Sequence, residues 1–263
     1  MNTNRQHHDE TGAFHNETMV YFSQCAPNKT LSLCELLRLT SDAAVEDFSE
    51  RGMSREELAQ KGVAILVSRV SFRMHRVPRE NERIAIHTHE EKSEPLQFVR
   101  AYEIDSASGE RLVSGISSWL LVDVEAHRIL PIKTFDEMKM REPTDRESAH
   151  DCLPYKKIKP PEGLSLLDER VIKYSDLDSN GHTTNSRYGA FVADALPPAL
   201  RDAAFTDFRL NYAKEAKLGE KLSVFGKIDD GARKITLVGR TEQGVSFESE
   251  LYWKGSGAAE PLP

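Results

Sequence analysis

The sequence lacks the features that mark secreted and membrane-spanning proteins. It has three cysteines, an odd number with no CxxC spacing, so neither a disulfide framework nor a cysteine zinc site is expected. The first residues have no apolar stretch of signal-peptide length and no Ser/Arg-rich, acid-poor leader. No segment reaches the roughly 18 uninterrupted apolar residues of a membrane helix. We therefore expect a cytoplasmic protein of bacterial type with no membrane span.

Long basic runs with interleaved aromatic residues are also missing. The formal net charge is -7, and a nucleic-acid backbone requires clustered cations, so we expect no nucleic-acid partner. A short basic run, Lys156, Lys157 and Lys159, could still face an acidic protein. A solvated linker is the more frequent role of such a run.

What is present is the composition of a folded protein, with 39% hydrophobic and 29% charged residues. At 263 residues the chain is better served by two hydrophobic cores than by one. From about Arg141 to Gly163 the hydrophobic periodicity fades while prolines and charges gather, which is typical of a linker. We therefore predict a first unit at 1–145, a linker at 146–163 and a second unit at 164–263.

Each unit contains one segment with helical spacing of its apolar residues. In the first unit Ser32 and Glu35 form a capping-box pattern ahead of recurring leucine, alanine and phenylalanine, which predicts a helix over 31–50. In the second unit the pattern predicts a helix over 184–196, stopped by the prolines that begin at Pro197.

Extended segments follow each predicted helix. The predicted strands are 63–76, 82–90, 96–105 and 111–123 in the first unit, and 206–214, 220–229, 233–241 and 244–253 in the second. Alternation is clearest in the last strand, where Phe247 and Leu251 share one face and Glu248 and Glu250 the other. This regularity favours antiparallel sheets with one solvent-exposed face.

A weak internal duplication links the two units. Phe22-Ser23 matches Tyr174-Ser175 at a separation of 152 residues, which also aligns Asn28 with Asn180 and Thr30 with His182. Further along, Asn81-Glu82 matches Gly219-Glu220 at a separation of 138 residues, as a deletion in a loop would produce. The order of elements and these matches together predict a tandem repeat.

The densest polar segment runs from Tyr174 to Tyr188, ahead of the second helix. It holds Asp176, Asp178, Asn180 and His182 within seven residues. These side chains can supply a base and an orienting group, and the start of the helix that follows them can stabilise an anion. An Asx-rich turn with a helix cap is the alternative reading, and for any single Asp or Asn it is the more frequent one.

Three strings together resemble the plant-type and bacterial acyl-ACP thioesterases. DLDSNGHTTNSRY, at 176–188, is similar to the D-x-D-x-N-x-H-x-x-N-x-x-Y signature of that family. GERLVSGISSWLLVDVEAHRILPI, at 109–132, resembles its strand with a Gly-Glu turn, a Ser-x-Trp and a following Arg. NYAKEA, at 211–216, resembles its EYRREC segment. The matches lie in order and span most of the chain.

The resemblance implies a tandem double hot-dog of α+β class, in which each repeat is a long helix wrapped by an antiparallel β-sheet. It implies hydrolysis of fatty acyl-ACP in fatty-acid biosynthesis, an acyl carrier protein as partner, and a homodimer as an optional assembly. The catalytic positions of the family fall on Asp178, Asn180, His182 and Glu215. We expect no cofactor and no metal.

The sequence also departs from the family pattern. Ala216 stands where many relatives have cysteine, Gly181 where glutamine is common, and Thr183-Thr184 where Val-Asn is usual. Ala216 argues against a cysteine nucleophile. Because a thiolate leaves readily, a thioesterase needs chiefly an activated nucleophile and an oxyanion stabiliser. We favour Glu215 as general base and Asp178 as the residue that orients Asn180 and His182.

The first unit is predicted to be catalytically silent. The alignment puts Ala26, Thr30 and Val77 at the positions of Asp178, His182 and Glu215, and retains only the asparagine. Its leucine-rich helix, with Leu33, Leu36, Leu37 and Leu39, is expected to border the acyl chain, although core packing is the first explanation for each leucine.

Two other functions remain open at this point: an acyl-CoA thioesterase, and a non-catalytic protein that binds acyl thioesters. Three further features have weaker functional readings. His87 and His89 could begin a metal site but are more simply part of a surface strand. Asp176 suits a turn better than catalysis. The His7-His8 pair is expected to lie in a disordered polar tail.

Overall fold

A computed structural model describes residues 6–255. The helices are α1 (Leu33–Glu50), α2 (Arg55–Gln60), α3 (Ile132–Glu137) and α4 (Arg187–Asp194). The strands are β1 (Gln6–His8), β2 (Phe14–Met19), β3 (Val63–Met74), β4 (Arg83–Glu94), β5 (Gln97–Ser106), β6 (Arg111–Asp123), β7 (Arg128–Leu130), β8 (Ser165–Val171), β9 (Phe205–Tyr212), β10 (Lys221–Asp229), β11 (Lys234–Thr241) and β12 (Gly244–Trp253). None of the helices between residues 6 and 255 has the length and apolarity needed to span a bilayer.

The strands form one continuous antiparallel sheet in the order β1-β2-β4-β5-β6-β3-β9-β12-β11-β10-β8, with β7 pairing to β6. The two halves meet where β3 pairs with β9, and Phe72 lies opposite Phe208 in that pair. All eight predicted strands are present, with bounds that differ by a few residues. Each half therefore covers a sheet edge that the other half would leave exposed.

The duplication is visible in the hydrogen bonds of the turn that precedes each main helix. Ala26 N donates to Thr30 O at 2.8 Å, and Asp178 N donates to His182 O at 2.7 Å. The residues flanking these turns form matching β-bridges, one in each half. The separation of 152 residues seen in the sequence is therefore a structural repeat.

The separation of 138 residues is confirmed in the same way. Val20 N donates to Glu82 O at 2.9 Å in the first half, and Ile172 N donates to Glu220 O at 3.0 Å in the second. Matching positions in the two halves can thus be compared directly.

The two main helices contact each other through a glycine. A Cβ added at Gly189 of α4 would lie 2.8 Å from backbone atoms of Leu33 and Cys34 at the start of α1. Only glycine allows this approach. The first predicted helix is confirmed, with Ser32 accepting a hydrogen bond from Glu35 N. The second is shorter than the predicted 184–196, because residues 184–186 form a turn before Arg187.

The segment between α3 and β8 contains no helix or strand and packs across the outer face of the sheet. Arg209 of β9 donates to the carbonyl of Lys156 at 2.6 Å, and Ile158 is buried. Glu250 of β12 is buried beneath this segment, where it pairs with Arg209 and Lys234. The expectation of a solvent-exposed outer face is therefore wrong for these central strands.

A buried ionic cluster lies at the end of α1. Arg100 of β5 is fully buried and donates to Asp47 Oδ2 at 2.5 Å, while Arg51 donates to the same oxygen at 2.9 Å. The Arg100 guanidinium also lies over the Phe48 ring, 4.4 Å from its centre. Asp47 thus ties α1 to the sheet.

The prediction that His7 and His8 lie in a disordered tail is wrong. Both residues belong to β1, which pairs with β2 and extends the sheet by one strand. His7 stacks on His15 with ring centres 4.9 Å apart, and His8 Nε2 lies 2.8 Å from Asp47 Oδ1. These contacts give the polar segment partners that its sequence did not reveal.

Candidate active site

The turn from Asp178 to His182 is organised by the side chain of its first residue. Asp178 Oδ1 accepts hydrogen bonds from Asn180 N at 2.8 Å and His182 N at 3.1 Å. Gly181 adopts a positive φ of 77°, which the tight turn requires. The Asp178 carboxylate therefore fixes the backbone from which the amide and the imidazole project.

Glu215 is joined to this turn from a distant part of the sequence. It follows β9, and its Oε1 accepts a hydrogen bond from Thr183 N at 3.2 Å. The Thr183 hydroxyl donates to the carbonyl of Ala216, so the two segments are locked at two points. The chain thus brings a half-buried carboxylate next to the residue that follows His182.

The remaining two predicted residues face solvent. Asn180 and His182 are both exposed, and within residues 6–255 neither side chain makes a hydrogen bond or ion pair. No direct bond joins the side chains of Asp178, His182 and Glu215 in that range. The side-chain donors and acceptors of Asn180 and His182 are therefore available to a bound thioester.

Tyr188 supports the site from below and was given no role by the sequence reasoning. Its phenol oxygen accepts hydrogen bonds from Ala216 N at 3.2 Å and from the Ser246 hydroxyl at 3.4 Å. Burial raises the pKa of Tyr188, so the phenol stays protonated at neutral pH. The signal was present as the final tyrosine of the 176–188 string.

Asp176 has a structural role. It is 2% exposed, forms an ion pair with Arg187 at 2.7 Å and accepts a hydrogen bond from Lys173 N at 2.9 Å. Burial alone would raise the pKa of Asp176, but these hydrogen bonds and the Arg187 charge hold it below its ordinary value. The prediction that Asp176 belongs to a turn and not to the catalytic set fits this geometry.

The first repeat also reaches the turn. Arg55, the first residue of α2, donates to Ser179 Oγ at 3.3 Å. This contact joins residues 124 positions apart in sequence. The turn is therefore bordered by both halves of the chain.

The two histidines of β4 contact different partners. His87 Nδ1 lies 2.5 Å from His15 Nδ1, and His89 contacts Ser148 of the connecting segment at 3.3 Å. Within residues 6–255 no group of three or more His, Cys, Asp or Glu side chains could hold a metal ion. The surface reading fails for His89, which is buried under that segment.

Two surface clefts have volumes of about 470 and 620 Å³. One is lined by residues of β2, β4 and β5, and the other by the end of the connecting segment and the strands beside it. None of the four predicted residues lines either cleft.

Comparison with known proteins gives the family. Models of the acyl-ACP thioesterase N-terminal and C-terminal domains match residues 12–138 and 164–256. The structure of an acyl-ACP thioesterase from Bacteroides thetaiotaomicron superposes with a TM-score of 0.82 at 17% identity, covering 93% of this chain and 99% of that one. A 12:0-ACP thioesterase from Umbellularia californica gives 0.76 at 15% identity, covering 92% and 97%. No curated protein sequence matches the chain.

At these identities the superpositions show the fold, which is the expected double hot-dog. The family itself rests on the two domain models, which together span most of the sequence in the expected order. The chain belongs to the acyl-ACP thioesterase family.

Proposed function

We propose that this hydrolase of acyl thioesters acts on fatty acyl-ACP and releases a free fatty acid for lipid metabolism. Its family membership supports the acyl-carrier-protein substrate. The observation that carries the proposal is an asymmetry between two matching turns. The second repeat has Asp178, His182 and Glu215 where the first has Ala26, Thr30 and Val77.

In the proposed reaction Glu215 takes a proton from a water molecule, which attacks the thioester carbonyl. The carbon–sulfur bond then breaks and the sulfur leaves as a thiolate, whose conjugate acid has a pKa of about 8.5. Asn180 and His182, which have unused donors, would stabilise the oxyanion together with the start of α4. Asp178 would act as a positioning residue through the backbone of the turn.

We also propose that the repeats are divided at the connecting segment, 146–163, and that the chain forms a homodimer in the cytoplasm. The division is supported by the gap between the two matched domain models. Association is supported by β8, an edge strand whose Leu166 and Val171 are about half exposed.

The test is a hydrolysis panel of acyl-ACP and acyl-CoA substrates of several chain lengths, compared as kcat/KM. The proposal predicts turnover of acyl-ACP with the higher kcat/KM. Preference for acyl-CoA would reassign the carrier. Binding of both substrates without turnover of either would make the chain a non-catalytic binder.

A further inference from the structure

An exposed patch borders the active-site turn of the second repeat. We call this group of residues, Lys173, Tyr174, Lys217 and Leu218, the docking patch. Tyr174 is 84% exposed, more than any other large apolar residue between residues 6 and 255, and Leu218 is 55% exposed. Apolar side chains this accessible beside a site are typical of a contact surface.

The patch is built by two turns that are tied together. Gly219 N donates to Ile172 O at 2.9 Å, and Ile172 N donates to Glu220 O at 3.0 Å. One turn leads directly into Asp178, and the other directly follows Glu215. A protein seated on the patch would therefore lie beside the proposed reaction centre.

The patch carries two lysines on a chain whose net charge is -7. Lys173 and Lys217 are both exposed, and within the described part of the chain no carboxylate lies within ion-pair distance of either. Asp176 is already paired with Arg187, and Glu169 is paired with Lys221. Among residues 6–255, three nearby carboxylates have no ion pair: Glu220 accepts a hydrogen bond from Lys217 N at 2.9 Å, and Asp178 and Glu215 accept theirs from the backbone of the active-site turn.

The matching positions of the silent repeat do not form such a patch. Tyr21, Phe22, Arg79 and Glu80 occupy them. The aromatic residue of the patch is kept, but the four positions hold one cation, Arg79, next to the carboxylate of Glu80. The pair of lysines beside exposed apolar residues is thus found in the half that carries the proposed catalytic carboxylates.

We infer that the docking patch binds the acidic surface of the carrier protein that presents the acyl thioester. Paired lysines would steer a negatively charged partner, while Tyr174 and Leu218 would pack against its apolar side chains. This inference rests on the proposed function. The basic run at 156–159, for which a solvated linker is the more frequent role, lies elsewhere: the Lys156 carbonyl accepts a hydrogen bond from Arg209 of β9.

The test is the double variant Lys173→Glu/Lys217→Glu, with Arg79→Glu as the matched control in the silent repeat. Each protein is assayed with three substrates that share one acyl chain: acyl-ACP, acyl-CoA and acyl-N-acetylcysteamine, which has no carrier. At low ionic strength the double variant should lose at least about tenfold in kcat/KM on acyl-ACP, mainly through KM. Its kcat/KM on acyl-N-acetylcysteamine, and that of the control on every substrate, should stay within about twofold of wild type.

Each other result has a definite meaning. An equal loss on acyl-ACP and acyl-CoA would show that the lysines bind the phosphate of the phosphopantetheine arm, which both substrates carry, and not the carrier protein. Loss on all three substrates would place them in the reaction centre or the fold, and no loss on acyl-ACP would remove the patch from recognition. Failure of wild type to hydrolyse acyl-ACP would instead overturn the proposed function, and the inference with it.

Discussion

Removal of the Asp47 carboxylate should destabilise the protein more than a typical surface substitution. In Asp47→Ala the fully buried Arg100 would keep its hydrogen bond to Thr88 at 3.2 Å and lose its carboxylate partner. Breaking a buried pair in this way costs about 3–5 kcal/mol. For a chain of this size that corresponds to a fall in Tm of roughly 6–20 °C.

The assay is urea unfolding at neutral pH, with Asp42→Ala as the control on the same helix. Asp42 is exposed and pairs with Arg38 at 3.3 Å, so its loss should change the free energy of unfolding by less than about 1 kcal/mol. The double variant Asp47→Ala/Arg100→Met should lose less than Asp47→Ala alone, because no unpaired charge remains buried. A loss below about 1 kcal/mol in Asp47→Ala would refute this reasoning.

The same carboxylate predicts a pH dependence. Burial alone would raise the pKa of Asp47, but Arg100, Arg51 and the contact with His8 hold it below its ordinary value. Because the pKa is lowered in the folded state, the ionised carboxylate stabilises the protein fully above the unfolded pKa of about 4. This stabilisation is lost as the pH falls through the folded-state pKa. Wild type should therefore lose stability more steeply below about pH 4 than Asp47→Asn does.

Three further predictions concern the site, the acyl chain and assembly. Ala216→Cys should leave kcat nearly unchanged, because we assign water activation to a carboxylate; a large gain with new sensitivity to thiol alkylation would contradict this. Leu36→Phe should shift the chain-length profile of kcat/KM towards shorter acyl chains by about tenfold or more while the best-substrate kcat stays within a few fold. An unchanged profile in Leu36→Phe and Leu37→Phe would show that the first repeat does not determine the preferred acyl-chain length. Light scattering should give twice 29.7 kDa, and a mass near one chain would exclude the homodimer.

The sequence predicted the elements whose hydrophobic pattern is complete. The predicted strand 244–253 matches β12, since its apolar and polar residues alternate over many residues, and the predicted strand 111–123 matches β6. It missed β2 and β8, which lie at or near the ends of the sheet. In β8 three apolar residues are exposed, so burial imposes no alternation on it. It also missed α2, although Ser54 and Glu57 form a capping box.

The site was predictable where its residues are contiguous. Asp178, Asn180 and His182 lie in one turn, and turn chemistry alone draws attention to them. Glu215 was selected only by family resemblance, because its contact with Thr183 spans 32 residues and depends on how β9 ends beside the turn. The burial of His89 and Glu250 could not be foreseen either, since it depends on the path of the connecting segment.

The most direct test of the central claim is kcat for Glu215→Gln, Asp178→Asn and His182→Ala on the acyl-ACP that wild type hydrolyses best. Each variant should remain folded by circular dichroism and lose at least about a hundredfold in kcat, the usual scale for a general base or its positioning partner. Val77→Ala, at the position in the silent repeat that matches Glu215, should stay within a few fold of wild type. Wild-type turnover in two of the three variants would remove this cluster from the mechanism.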